Sequence, residues 1–337
     1  MIISKKHVNT KSNIVIIGAF LIVIAAFMVS IHVGKYSIST EDIIKILKRN
    51  HENVMTVNVF LKLRLPRSIM VILAGIGLSV AGSIYQTLFK NSLASPDIIG
   101  VTSGASAGAA FSIVFVSGSM FSVAFGAFLG GILALAFVMG LVKVSKSDNV
   151  LSYVLSGIVI NAISNGILMT IKYFSDSENE LGAIEYWTMG SFGGITLDKL
   201  KIIFPFFLIG MVGIYMMRWK IHVLSVSDEE AKSLGVSVNR NRLLILLFST
   251  LVVASIVSVT GLISFIGLIP PHLARSILKK NDFKTIVFSG LIGAILMILS
   301  DCFARILLPS ELPISIITSF IGAPYLALLV MKNRKYR

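Results

Sequence analysis

Hydrophobic residues in this chain run on for whole helical spans and do not alternate with polar ones at strand or surface-helix spacing. Nine apolar runs fill about 14–33, 68–86, 98–117, 120–142, 150–171, 202–217, 243–262, 285–304 and 313–331. A bilayer core is crossed by ~20 residues of α-helix, and a helix apolar on every side belongs in lipid or in a buried core. A further apolar segment, 262–278, is broken by Pro270 and Pro271 and closed by Lys279 and Lys280. The pattern predicts an all-α integral membrane protein of about ten transmembrane helices, folded as one domain over 1–337.

Charge sets the orientation. Lys5, Lys6 and Lys11 precede the first run, and Lys332, Arg334, Lys335 and Arg337 follow the last. Basic flanks stay on the cytoplasmic side, so both termini are expected there, with an even number of crossings. The first run is too long for a removable signal and no small-residue cleavage site follows it. Seven basic residues (Lys35, Lys45, Lys48, Arg49, Lys62, Arg64 and Arg67) gather in one loop on the opposite side. Either that loop is a tolerated exception to the orientation rule or it faces an acidic partner.

Composition supports a membrane chain and removes other classes. Of 337 residues, 55% are apolar and 14% charged, whereas a soluble domain carries roughly a quarter charged residues. Thirty Lys and Arg against 16 Asp and Glu give +14, a balance that span-flanking residues explain. No basic and aromatic interleaving suited to single strands is present, so no nucleic-acid partner is expected. Cys302 is the single cysteine; it allows no internal disulfide and reads as a small core residue.

Small residues cluster within the runs: Gly75, Gly77 and Gly82; Gly104, Ala105, Gly108 and Ala109; Gly126 and Gly130. In lipid such residues let helix backbones approach closely, which implies a tight bundle. Breaks at 91–96, at Pro270-Pro271 and at 322–324 free backbone groups that only protein or water can cover. These segments are therefore expected to line a cavity or an interface.

Reactive chemistry is sparse. The histidines His7, His32, His51, His222 and His272 show no i, i+3 or i, i+4 pairing, so no metal site is expected. No G-x-x-x-x-G-K-[ST] loop occurs, so the chain has no such cradle for a nucleoside triphosphate. Asp301 is nearly alone as an ionisable group within the apolar runs, whereas proton-coupled carriers usually show several membrane-embedded acids or histidines. No cofactor and no catalytic set are expected, and a conduit driven by another subunit fits better than a self-powered pump.

Two short helices fall between crossings. Ser227 followed by Glu230 is a capping box, Asp228 and Glu229 suit the positive helix start, and Gly235 supplies a stop. Segment 224–236 is thus expected to form a short helix with Ala231 and Leu234 on one face, resting on the membrane or on a cytoplasmic partner. Its acidic start argues against anionic lipid. Ser39, Thr40, Glu41 and Asp42 begin a second helix through Ile43, Ile44 and Leu47. The stretch EYWTMGSFGG (185–194) reads as an outer lid or as a turn anchored at the headgroups by Trp187.

The run RLPRSIMVILAGIGLSVAGSIYQTLFKNSLASPDIIGVTSGASAGA (64–109) resembles the signature of ABC-importer permeases for iron-siderophores, haem and cobalamin. So do YWTMGSFGG (186–194), DEEAKSLGV (228–236), GLISFIGLIPPHLAR (261–275) and DCFARILLPSELPISIITSFIGAPYLALL (301–329). The blocks keep the family's order and cover most of the chain from residue 60 onward.

The resemblance implies a cobalamin-importer-permease-like bundle in the cell (cytoplasmic) membrane, paired with a second permease subunit as a homodimer or heterodimer. It implies two ATP-hydrolysing subunits, an extracellular substrate-binding lipoprotein, and iron-chelate cargo, siderophore before haem or cobalamin. By position, Arg64, Arg67 and Arg305 are expected to face acidic residues of the binding protein. Ser227, Asp228, Glu230, Ala231, Leu234 and Gly235 occupy the coupling segment that meets the ATPase. Asn91 and Leu93 fall at the inner gate. Ser92 stands where the family usually has proline, and Ser315 where it usually has glycine. The alternative is an ion-driven secondary transporter or channel without an ATPase.

Overall fold

The computed structural model describes residues 2–50, 53–145, 150–308 and 310–334; His51, Lys335 and Arg337 lie outside them. Every element among these residues is helical. α1 (Ile2–His32) leads to two short helices, α2 (Thr40–Leu47) and α3 (Val54–Asn58). α3 passes through a π-helical turn, Val59–Arg64, into α4 (Leu65–Leu88). There follow α5 (Val101–Phe115), α6 (Met120–Val144), α7 (Val150–Phe174), α8 (Glu180–Met189) and α9 (Leu197–Met216). The short α10 (Arg218–Val223) and α11 (Asp228–Ser233) precede α12 (Val238–Thr260). The chain finishes with α13 (Ile269–Leu278), α14 (Phe283–Ile306) and α15 (Ile314–Arg334).

Seven segments are long and apolar enough to cross a bilayer: Ser12–His32, Val54–Leu88, Met120–Val144, Val150–Phe174, Leu197–Met216, Val238–Thr260 and Phe283–Ile306. Two shorter apolar helices, Val101–Phe115 and Ile314–Leu329, join them, and α13 brings the bundle to about ten. α5 starts later than its apolar run because Pro96–Ile99 is a 3-10 turn closed by Gly100 at φ +82°. Only 10 residues of the expected crossing 262–278 are helical. At 1.5 Å per residue they span ~15 Å, about half of a ~30 Å hydrocarbon core. Pro270 and Pro271 lie in the first turn of α13, where their missing N–H groups leave no intrahelical bond unmade.

Backbone-to-backbone packing holds the bundle together. A Cβ on Gly104 would come within 2.5 Å of the Gly130 carbonyl oxygen, and one on Gly75 within 2.5 Å of that of Gly293. α5 therefore seats on α6, and α4 on α14, as the small residues predict. Met70, Ala74, Ala81 and Ile84 of α4 are fully buried with Ile245, Val252 and Ile256 of α12 and Ala294 and Met297 of α14. The outward apolar side chains of α1, α6, α7 and α9, such as Leu21, Phe137, Ile158 and Ile209, are exposed, as a lipid-facing surface requires.

Alternating helix directions give the bundle two ends. Ion pairs between Arg67 of α4 and Glu311, and between Lys172 of α7 and Glu185 of α8, join neighbouring segments at the end that carries α2 and α8. The pair between Lys90, in the turn after α4, and Asp228 of α11 lies at the end that carries α10 and α11.

Candidate functional site

Three arginines converge at the α2 end. Arg64, 6% exposed, donates through Nη1 to the carbonyls of Ile31 (3.1 Å) and His32 (2.9 Å), and through Nη2 to that of Tyr36. Those are the orphan carbonyls at and just beyond the C-terminus of α1, where a cation is favoured. Gly34 lies under the same guanidinium, so close that a Cβ there would sit 2.8 Å from Nη2. Arg67 donates from Nε and Nη2 to Asp301 Oδ1 at 3.0 and 2.9 Å, and from Nη1 to both oxygens of Glu311. Arg305 donates to the carbonyls of Ser30 (3.1 Å) and Val33 (2.7 Å), and its Nη2 lies 2.9 Å from Asp301 Oδ2. Two guanidinium groups, Arg67 and Arg305, thus meet two carboxylates, and all three arginines line a cleft of about 210 Å³ with Lys35 and Tyr36.

The opposite end carries the short helix. Ser227 accepts from the Glu230 N–H while the Glu230 carboxylate accepts from the Ser227 N–H, so the anticipated capping box forms. Gly235 stops the helix at φ +76°. Ala231 is fully buried, whereas Leu234 caps the helix and is 61% exposed. The shared face expected for these two residues is therefore split, because the helix ends at Ser233.

Asp228 opens α11 and points back into the bundle. Its carboxylate accepts from Arg242 Nη2 at 3.1 and 3.0 Å and from Lys90 Nζ at 3.2 Å. Burial would raise its proton affinity, but the hydrogen bonds and charges of Arg242 and then Lys90 hold the carboxyl below its ordinary value. Arg242 is fully buried on α12 and lies over the Tyr153 ring of α7 at 5.9 Å. Lys90, at left-handed φ +49°, leads directly into the turn 91–94. There Asn91 Oδ1 accepts from the Leu93 N–H at 2.9 Å, and Leu93 is 58% exposed.

Between the two ends, the half-helix α13 is clipped to its neighbours. His272 Nδ1 meets the Tyr325 hydroxyl at 2.7 Å, and Arg275 donates to Gln86 Oε1. Gln86 in turn donates to the carbonyls of Gly267 and Leu268 in the irregular stretch before α13. Ser315 donates to the Leu262 carbonyl at 2.8 Å and accepts from the Ser264 N–H. A glycine at 315 offers neither bond. Nothing in the structure explains the serine at 92.

The FecCD transport family is matched over residues 21–332. The chain belongs to the FecCD transport family. A molybdate import system permease protein of Haemophilus influenzae is 33% identical over 95% of this chain and 96% of its own length. A probable iron chelatin transport system permease protein of Helicobacter pylori is 36% identical over 82% of this chain and 83% of its own. The fold matches an inward-facing structure described as a putative metal-chelate type ABC transporter, with a TM-score of 0.85 and 33% identity over 94% of this chain and 98% of that one. The resemblance carried by the sequence blocks therefore stands, and the chain is a membrane permease of the ATP-binding-cassette importer class.

Within that FecCD frame, Ser227, Asp228, Glu230, Ala231, Leu234 and Gly235 come together on one capped helix, and Asn91 and Leu93 lie on a turn tied to it through Lys90. Arg64, Arg67 and Arg305 also come together, but turned inward. Their donors hold α1, Asp301 and Glu311, and of these acceptors Glu311 is partly exposed beside Arg67. The stretch 185–194 is half helix, and its turn is locked rather than lid-like: Ser191 N–H donates to Thr260 O at 2.7 Å and Ile314 N–H to Gly190 O at 2.9 Å. Sequence reading missed Lys90, Arg242, Tyr153 and Glu311. Each meets its partner across 14 or more residues, and no local spacing signals such pairs.

Proposed function

We propose that this chain is one permease half of an importer for iron chelates, with a siderophore complex as the favoured cargo. A second permease subunit, identical or related, completes a central pathway across the cell membrane. Two ATP-hydrolysing subunits grip the α11 end, which faces the cytoplasm together with both termini. A substrate-binding lipoprotein docks at the α2 end, and the chain itself catalyses nothing. Transport proceeds by alternating access, with rigid bundles rocking about the pathway.

The clamped helix α11 carries this reading. Its inner face, Asp228 and Ala231, is fixed to the bundle, while Glu229, Lys232, Ser233 and Leu234 are exposed together. A six-residue helix has little stability of its own, so one held this firmly with an uncovered outer face suits a grip for the motor. At the other end Arg64 and Arg305 act indirectly, shaping the surface from below, while Arg67 can be reached where Glu311 is partly exposed. Exposed Lys35, Lys48, Arg49 and Lys62 present the charge that steers an acidic docking protein. The Asn91–Leu93 turn serves as the inner gate.

A proton-driven carrier needs a group, most often a carboxyl, that takes up and releases protons within the membrane. Asp301 is held between Arg67 and Arg305, which suits structure better than proton relay. Reconstitution of the permease with its ATPase and lipoprotein in liposomes tests the assignment. Uptake of a radioactive ferric siderophore that stops without ATP is expected. Uptake that continues without ATP overturns the powering, and uptake of molybdate in place of the chelate overturns the cargo.

A further inference from the structure

We propose that Lys90 and Arg242 are positioning residues that carry the displacement of α11 into the rest of the permease, Lys90 toward the turn 91–94 and Arg242 into α12. The inference rests on the reading that α11 is where the ATPase pushes. Lys90 falls within the run 64–109 and Arg242 outside every block, and no local pattern singles out either; the assignment comes from how they converge on Asp228.

A push on α11 must leave it by some physical connection. Besides backbone continuity, the helix buries Ala231, whose small side chain transmits pressure but little pull, and is anchored by the Asp228 carboxylate. The Asp228 carboxylate is held by two cations from different elements, Arg242 at 3.0 Å and Lys90 at 3.2 Å. Charge-assisted bonds to a planar guanidinium are directional and resist both approach and separation. The carboxylate therefore works as a fixed joint where α11, α12 and the end of α4 meet.

The joint is well backed on the bundle side. Arg242 has a side chain with no exposed surface and lies over Tyr153 on α7. Tyr153 meets Phe89 at 6.4 Å between ring centroids, Phe89 meets Tyr85 at 5.9 Å, and the Tyr85 hydroxyl bonds Thr250 of α12 at 3.0 Å. α4, α7 and α12 thus converge behind Asp228. On the other side Lys90 is the residue immediately before Asn91, so movement of its ammonium group reaches the gate turn with only the lysine's own side chain and a peptide bond between them. Such a link makes the coupling reciprocal: whatever closes the turn also biases the position of α11.

Lys90 is 40% exposed at its side chain, so it can be changed with little risk to folding. In the complete transporter with ATPase and lipoprotein, Lys90→Met is expected to lower cargo moved per ATP hydrolysed by about five-fold, the lower bound of ordinary allosteric coupling. Basal hydrolysis and co-purification of the ATPase stay at wild-type levels, and Lys90→Arg restores the ratio. Spin labels on Glu229→Cys and Leu93→Cys report the link directly: their separation stays narrowly distributed through the ATP cycle in the parent and broadens with Lys90→Met. Arg242→Gln is expected to lower the transport ratio further. An unchanged ratio and an unbroadened distance in Lys90→Met overturn the proposal. If instead Glu229→Cys fails to cross-link to the ATPase while the complex still transports, the motor does not sit on α11, and it is the reading beneath that fails.

Discussion

Arg67 grips Glu311 through a single nitrogen, Nη1, which donates to both carboxylate oxygens at 2.9 and 2.8 Å. Glu311 is the more accessible partner of this pair, with a third of its side chain exposed, and Arg67 is otherwise committed to buried Asp301. An acidic side chain arriving from a docking protein must therefore compete with an acid already tethered in place.

Glu311→Gln removes that competitor while keeping its shape. Since a partly exposed pair contributes about 0–1 kcal/mol, the binding protein is expected to associate up to about five-fold more tightly. Titration of the lipoprotein onto permease in nanodiscs measures the change; equal or weaker binding removes the competition.

Asp301 is the acid that the surrounding arginines most need. It is fully buried between Arg67 and Arg305, and removing one member of such a set leaves uncompensated charge. Asp301→Ala is expected to cost about 3–5 kcal/mol, seen as a large fall in the thermal midpoint of the purified permease. A fall no greater than that of a lipid-facing substitution such as Phe137→Ala refutes the structural role.

Gly82 lies where α4 meets the break before α13, and a Cβ there would drive into the Gly267 carbonyl. Backbone cannot yield as a side chain tip can, so Gly82→Val is expected to destabilise by about 1–3 kcal/mol or more. Gly140, with nothing within 4 Å of a Cβ position, is the matched control: Gly140→Val should leave the thermal midpoint unchanged.

The α11 clamp also sets a pH dependence. The Asp228 carboxyl is held below its ordinary value by Arg242 and Lys90 against the opposing effect of burial. A lowered folded value means that the clamp's contribution is complete above the unfolded value of about 4 and fades as pH falls through the folded value. Hydrogen-exchange protection of 227–236, corrected for intrinsic rates, should stay level from about pH 7 to about pH 5 and decline only in stronger acid. Protection that falls near neutrality points to some other group.

Much of the architecture was legible in the chain because membrane helices announce themselves by length and apolarity. The two short capped helices were equally legible, since Ser39 with Asp42 and Ser227 with Glu230 satisfy local donors by local rules. α13 was harder: its apolar run looks continuous, and only Gly261 at φ +70° and Phe265 at φ +66° show that the chain stays irregular until residue 269. The arginines show a different limit. Sequence marked Arg64, Arg67 and Arg305 as charged and suitably placed, but whether such a group turns outward or inward depends on acceptors 28 to 275 residues away. Leu234 parts from the face of Ala231 for a smaller reason, a helix that ends one residue before it.

The glycine seams between α5 and α6 and between α4 and α14 bear on how such a bundle moves. Helices pressed together main chain to main chain have no intervening side chains to reseat, so each pair tilts as a single slab. The turns between such slabs are packed as well: Gly100 ahead of α5 sits against Ile160 of α7, and Gly261 ahead of the half-helix lies so close to the Trp187 carbonyl that a Cβ there would clash. The permease is in this respect a set of stiff plates with close-fitting joints, and a side chain added at either joint should disturb its resting shape as well as the speed of its cycle.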